Sequence, residues 1–405
     1  MTATTFAYKV RDRNGKLVEG SLEASDAQLV VAKLREMGYV PVSVKAKARS
    51  GLSTQIRLGS PKVKLRDLVV FSRQLATMIN AGLSLLRALT ILSDQTSSAT
   101  LAKVIDDLRS DVENGQSFSE ALARHPKVFS PMYQGLVRAG ESGGSLDAVM
   151  ERLATTIEMQ AELRGKIKSA MSYPIAVAGL VVVIVTAMLI FVVPMFETMY
   201  RDLGGTLPLP TRLLLKMSGL VTSSWYFLIA GSVASVIGFR KWLATTKGRA
   251  RFDAFKIRMP VFGTMIHKTA LARFTRTFSS LMRSGVPVLE TLDIVAGTAG
   301  NQVVAAAVLD AKDRVRMGEG IAAALGAHKV IPSMVTQMIA VGEETGALDE
   351  MLGRIADYYE REVEATVDSL TSLIEPLLMV MMGVSVGGMV IALYMPMFQI
   401  INLVK

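Results

Sequence analysis

Phe71-Ser72-Arg73-Gln74-Leu75, followed by Ala81-Gly82 and Leu85-Leu86, decides how this chain is read, because it is written twice. About 200 residues later the same order returns as Phe274-Thr275-Arg276-Thr277-Phe278, then Ser284-Gly285 and Val288-Leu289. The correspondence continues through Gly115 and Gly318 and slips by one residue near Pro126. It then pairs Gly140-Glu141 with Gly342-Glu343, Leu146-Asp147 with Leu348-Asp349, Pro174 with Pro376, and Pro194 with Pro396. One structural unit has been duplicated, and that unit ends in its own hydrophobic segment.

Three stretches carry no charged side chain: Ser169 to Phe196, Met217 to Phe239 and Pro376 to Val404. Each exceeds the ~20 apolar residues needed to cross a ~30 Å hydrocarbon core. Basic residues bias toward the cytoplasm. Arg164, Lys166 and Lys168 precede the first stretch, and Arg240, Lys241, Lys247, Arg249, Arg251, Lys256 and Arg258 follow the second. The loop between them, near Thr206-Leu207-Pro208, holds Arg201, Arg212 and Lys216 and is expected outside. The third span then puts Lys405 outside. Duplication explains the odd number of spans. Two copies of one soluble unit need the same compartment, so the unduplicated span around Trp225-Tyr226-Phe227 resets the topology.

The sequence thus predicts a mainly α, polytopic membrane protein with two repeated cytoplasmic six-helix bundles, three transmembrane helices and a small N-terminal α+β module. The module occupies 1–45, a linker 46–61, the first bundle 62–170, the first span 171–198, a short extracytoplasmic loop 199–216, the second span 217–240, the second bundle 241–372 and the third span 373–402. In the module, Phe6, Tyr8 and Val10 alternate as in a strand. Asn14-Gly15 reads as a hairpin turn, and Val18, Gly20 and Leu22 as the return. Ser25 with Gln28 reads as a capping box opening a helix that carries Val31, Leu34 and Met37 and closes at Gly38. Val40, Val42 and Val44 read as a last strand. In the first bundle, Leu68, Phe71, Leu75 and Met78 lie at helical spacing and Gly82 ends that helix. Ser117 with Glu120 forms a second capping box, Pro131 sits at a first helical position, and Ser145 opens a helix running toward the first span.

Gly140-Glu141-Ser142-Gly143-Gly144-Ser145-Leu146-Asp147 and its copy Gly342-Glu343-Glu344-Thr345-Gly346-Ala347-Leu348-Asp349 read as a helix end, a glycine turn and a helix start. Asp147 and Asp349 fall in a first turn, where negative charge is favoured. Glu141 and Asp147 alone, without a loop of ligands, are a weak metal signal. The chain has 405 residues and no cysteine, which excludes disulfides and thiolate metal sites. Its net charge of +10 does not gather on a folded unit: each repeat carries roughly +2, against a nucleic-acid role. No phosphate-cradling Gly-x-x-x-x-Gly-Lys-[Ser/Thr] is present. His125, His267 and His328 are too dispersed for a metal site. The sequence points to no enzyme and no cofactor. A small-solute transporter is a remote alternative, because charged side chains at mid-membrane depth are missing.

Phe71 through Met78, Ala81-Gly82, Gly140-Glu141 with Gly144 and Leu146, Tyr173-Pro174, and Val193-Pro194 with Phe196 resemble the PilC/GspF family. These are inner-membrane platform proteins of type IV pilus and type II secretion machines. Arg276, Gly285, Gly342-Glu343, Gly346-Ala347-Leu348, Glu375-Pro376 and Pro396 carry the resemblance in the second half. Phe6-Ala7-Tyr8 with Asp12 and Gly15 carries it at the start. The second copy departs at Thr277-Phe278, which replace Gln74-Leu75, and at Glu375, which replaces Tyr173. The resemblance implies a scaffold that engages a hexameric assembly or retraction ATPase, pilin or pseudopilin subunits and other inner-membrane alignment proteins, and that forms homo-oligomers. It implies no ATP hydrolysis, and the Phe71–Met78 stretch favours the pilus over the secretion branch. On this reading Arg73, Gln74, Glu141, Asp147, Arg276, Glu343 and Asp349 are expected at partner contacts. Pro174, Pro194, Glu375, Pro376, Gly383, Gly387 and Pro396 are expected to shape span packing, with Gly383 and Gly387 at Gly-x-x-x-Gly spacing for close helix approach. Pro194 and Pro396 are expected to bend or end their helices.

Overall fold

A computed structural model describes residues 4–11, 17–24, 26–36, 38–46, 63–202, 208–260 and 262–403. Asn14-Gly15, Ser25, Met37, most of the expected linker (47–61), Lys62 and Thr206-Leu207 lie outside the described residues. The chain divides into two units, residues 1–62 and 63–405.

In the first unit β1 (Thr4–Arg11), β2 (Leu17–Ala24), α1 (Ala27–Glu36) and β3 (Val40–Ala46) follow in order. β1 is the middle strand, antiparallel to both neighbours, with Val10 opposite Val18 on one side and Pro41 on the other. α1 buries Val30 and Leu34 with Val10 and Ala24. Leu34 is buried as expected, but its partner one turn back is Val30, and the expected Val31 is half-buried.

The second unit opens with α2 (Leu65–Asn80), α3 (Leu85–Gln95), α4 (Ala99–Glu113), α5 (Phe118–Ala123), α6 (Pro131–Ser142) and α7 (Leu146–Ala187). Local chemistry sets several starts. The Ser98 hydroxyl accepts from Leu101 N–H, Ser117 and Glu120 form the reciprocal capping box, and Ser130 caps α6 with Pro131 just inside. A five-residue π-helical turn (Met188–Val192) joins α7 to α8 (Val193–Asp202). Then come α9 (Leu209–Ser223), α10 (Trp225–Ala244) and α11 (Thr246–Arg258). The second copy comprises α12 (Phe262–Arg283), α13 (Val288–Thr298), α14 (Gln302–Arg316), α15 (Ile321–Gly326), α16 (Ser333–Thr345) and α17 (Leu348–Met382). A second π turn (Gly383–Gly387) leads to α18 (Gly388–Leu403).

The two bundles share one core. Phe71, Leu75, Phe129, Tyr133 and Leu136 of the first belong to the same buried cluster as Phe274, Phe278, Leu281, Leu292 and Ile355 of the second. The seam runs between α6 and α7 on one side and α12 and α13 on the other. Across it, the buried Thr156 and Ser280 hydroxyls lie 3.1 Å apart and Arg152 donates to the Arg283 carbonyl. Further along, Leu163 packs on Val363 and Val367, and Lys166 reaches Glu364 at 2.6 Å. The copies differ at one matching position. Gln74 is exposed, whereas its counterpart Thr277 is buried, its hydroxyl without a hydrogen-bond partner.

Three helical stretches are long and apolar enough to cross a membrane: Leu146–Thr198, Trp225–Ala244 and Leu348–Met395. The first and last begin inside the bundles. The 53-residue first stretch spans about 80 Å at 1.5 Å per residue. The second span differs from its expected bounds of 217–240. The chain breaks at Ser224, and Met217–Ser223 belongs to α9, which lies against the ends of the other two spans. Pro194 and Pro396 do not end their helices, because helical backbone continues on both sides of each. Pro174 is buried within α7, and Glu375 and Pro376 lie exposed within α17. Among the described residues no neighbouring atom lies within 4 Å of where a Cβ on Gly383 or Gly387 would stand, so these glycines serve no close helix approach among them.

The seam is open to a direct check, since the chain has no native cysteine. Thr156→Cys with Ser280→Cys is expected to cross-link under mild oxidation in membranes, and either single variant is not. Absence of the cross-link would show the bundles apart.

Candidate functional site: the joints between bundles and spans

α2 packs on the part of α7 that lies within the bundle, and there Arg73 is held. Its Nε donates to Glu158 Oε1 at 2.7 Å, and its Nη2 reaches Glu158 Oε2 and Thr155 Oγ1. Nη1 reaches Glu151. The second copy repeats the brace: Arg276 Nε and Nη2 donate to Glu360 at 2.9 and 2.7 Å, and Nη2 also reaches Asp357 at 2.5 Å. A planar guanidinium with two parallel donors fixes geometry that an ammonium could not. The partners stand 85 residues apart in one copy and 84 in the other. Each bridge therefore ties the first helix of a bundle to the bundle portion of the last, the helix that runs on into a span.

Electrostatics follow from these pairings. The Glu158 hydrogen bonds raise the Arg73 pKa, and Arg73 in turn holds the Glu158 carboxyl below its ordinary value of 4.5. Burial pulls Arg276 down, but Glu360 and Asp357 outweigh it and the net shift is upward. Burial also raises the Tyr133 phenol, whose hydroxyl lies 3.3 Å from Ser72 Oγ beneath α2.

The Gly-Glu pair does more than turn the chain. Glu141 accepts from Phe118 N–H at 2.5 Å and Ser119 N–H at 2.9 Å; Glu343 accepts from Ile321 N–H at 2.6 Å and Ala322 N–H at 2.9 Å. The carboxylate satisfies two otherwise orphan donors at the start of α5 or α15, at the positive end of the helix dipole. The preceding glycine lets α6 or α16 close onto the next helix: a Cβ on Gly342 would lie 2.9 Å from Leu348 Cα, and one on Gly140 3.0 Å from Val149 Cβ. Gly144 and Gly346 then turn the chain at φ +64° and +69°, where glycine is favoured.

Of the seven residues expected at partner contacts, five are engaged internally: Arg73, Arg276, Glu141, Glu343 and Asp349. Asp349 lies 3.4 Å from Arg283 Nε and accepts Ser279 Oγ through its carbonyl. Gln74 and Asp147 remain exposed, the latter in the first turn of α7. Sequence reading missed Glu151, Glu158, Asp357 and Glu360. Part of the signal was present, since Glu158 and Glu360 stand at matching places in the two copies, whereas Glu151 corresponds to Gly353 and Asp357 to Thr155; acidic residues on a long charged helix look like any solvated face. Among the described residues no group of three or more His, Asp or Glu could hold a metal. His125 and His328 each stand near an aspartate, Asp107 at 3.9 Å and Asp310 at 2.9 Å. His267 bonds the Val330 carbonyl.

Two expectations follow for detergent-solubilised protein. Arg276→Ala strands carboxylates around a site only 12% exposed and should cost about 2–3 kcal/mol. The Arg73 partners are more than a third exposed, so screening limits Arg73→Ala to about 1 kcal/mol; thermal melts ranking them the other way would contradict the braces. Because the folded Glu158 pKa is depressed, its contribution is complete above about pH 4.5 and is lost as pH falls through the lower folded value. Arg73→Ala should therefore flatten the acid limb of the stability–pH curve.

Comparison with known proteins bears on the whole chain. Two family models match, "Type II secretion system (T2SS), protein F" over residues 71–194 and 274–396, and "Type II secretion system protein F, N-terminal domain" over residues 1–45. The two matches of the first model fall on the two copies of the repeat, spans included. The chain is 45% identical over 402 residues to a type IV pilus assembly protein PilC of Thermus thermophilus, covering 98% of both chains. It is 42% identical to the PilC of Myxococcus xanthus, covering 99% of this chain and 96% of that one. A type II secretion system protein F of Xanthomonas campestris pv. campestris is 35% identical, over 98% of each chain. The chain therefore belongs to the type II secretion system protein F family.

Proposed function

We propose that this chain is the plasma-membrane (inner-membrane) platform of a type IV pilus assembly machine, coupling a cytoplasmic hexameric ATPase to insertion or extraction of pilin subunits. The two pilus assembly proteins at 45% and 42% identity, against 35% for the secretion protein, over essentially the full length, support the pilus branch. One observation carries the mechanical part: each bundle continues without a break into its own span, through α7 and α17. A force on a bundle is then delivered to the span along a hydrogen-bonded rod. The Arg73 and Arg276 braces stiffen the joint where rod and bundle meet.

In this reading the N-terminal module and both bundles are cytoplasmic and the C-terminus is extracytoplasmic. The shared bundle core supports a common side, because two bundles with one core must lie on one face of the bilayer. The work is scaffolding, without catalysis or cofactor. Alignment proteins of the membrane and further copies of the chain complete the machine. Gln74 and Asp147, exposed beside the first brace, are the motor contacts of this proposal, since their side chains are free of the internal work done by Arg73 and Glu141.

The test is in cells. Loss of the chain should abolish surface pili. Gln74→Arg with Asp147→Asn should reduce co-purification of the ATPase several-fold at unchanged abundance and unchanged melting. Normal motor capture by that double variant would remove this face as the contact, and normal piliation without the chain would remove the platform role.

A further inference from the structure

Two prolines interrupt the ends of the first and third spans that lie farthest from the bundles, and each leaves a backbone carbonyl without its helical donor. In α18 the Ala392 carbonyl faces position 396, four residues on, where Pro396 has no N–H. In the first span the ladder widens at the π turn: Val193 N–H bonds the Met188 carbonyl five residues back. The next donor in that register would come from Pro194, which has none, so the Leu189 carbonyl is left over. Within hydrocarbon an unpaired backbone group is expensive.

α9 supplies both missing hydrogens. Thr211 Oγ1 donates to the Ala392 carbonyl at 2.5 Å, and Ser218 Oγ donates to the Leu189 carbonyl at 2.6 Å. The two hydroxyls stand two turns apart on one helical face, and their residues are 2% and 3% exposed. Leu214, Leu215 and Val221 of the same helix pack on Leu189, Val193, Met389 and Leu393. Neither hydroxyl makes the local bond to its own helix that Thr222 makes to the Ser218 carbonyl.

We propose that Thr211 and Ser218 are positioning residues whose hydroxyls stand in for the amide hydrogens missing at Pro396 and Pro194. They clip the far ends of the first and third spans together in the arrangement that pilus assembly uses. Pro194 and Pro396 are repeat equivalents, whereas α9 has no counterpart in the duplicated unit. The segment inserted between the copies thus mends the same defect in both. Its use in assembly rests on the platform reading; the hydrogen-bond substitution does not.

The experiment pairs each hydroxyl with its proline, in the full-length chain, reading thermal melting in detergent and surface pili in cells. Thr211→Val and Ser218→Ala should each lower the Tm by about 2–4 °C and cut pilus number several-fold, and Thr211→Ser should keep both. Pro396→Ala restores an N–H aimed at the Ala392 carbonyl, so it should rescue Thr211→Val and leave Ser218→Ala unrescued. Pro194→Ala should do the reverse. Rescue by the unmatched proline, or by neither, overturns the proposal. Matched rescue in melting with pilus number unmoved by the single variants overturns the positioning role. Matched rescue in cells that still make pili without the chain leaves the clip standing and removes the platform reading.

Discussion

The constraint behind this architecture is that a backbone entering hydrocarbon must bring its hydrogen bonds with it. α7 and α17 meet it by being helices before they reach the apolar region. Their ladders form in the bundles, over Leu153 and Ile157 in one copy and Ile355 and Tyr359 in the other, and run on into residues that have no other way to satisfy their amides. Bundle and span are therefore parts of one element.

That continuity makes the joint between bundle and span the place where shape is decided. A long helix that only brushes its bundle could slide or splay. The bidentate hold of Arg73 on Glu158, and of Arg276 on Glu360, fixes height and rotation together, because a planar fork fits one arrangement of carboxylate oxygens. Glu141 and Glu343 act one layer inward, pinning the short α5 and α15, which six residues alone would not keep folded. The buried seam at Thr156 and Ser280 then turns two such bundles into one body.

Much of the fold was legible in the residues. The repeat, the three apolar stretches, the capping box at Ser117 and Glu120, and the passage of a helix from Ser145 into the first span follow from local chemistry and periodicity. The site was legible only in part. Arg73 and Glu141 stood out by recurring, but recurrence marks a role without saying whether it faces inward or outward. Their partners lie on other helices, Glu158 85 residues from Arg73. Gly383 and Gly387 had the spacing of a packing motif and, among the described residues, no helix packed against them, because spacing records what a surface permits and not what lies against it.

The sequence by itself determined the duplication, the helical class and the three stretches able to cross a membrane, since each depends on composition or period within one segment. The tertiary structure alone decided that the bundles share a core, that the arginines brace rather than project, and that the uncharged run from Met217 splits at Ser224. Both sides of the break are uncharged, so charge does not place it. The Ser218 hydroxyl on the Leu189 carbonyl, and the packing of Val221 against the ends of the other two spans, set the part before Ser224 apart from the part after it.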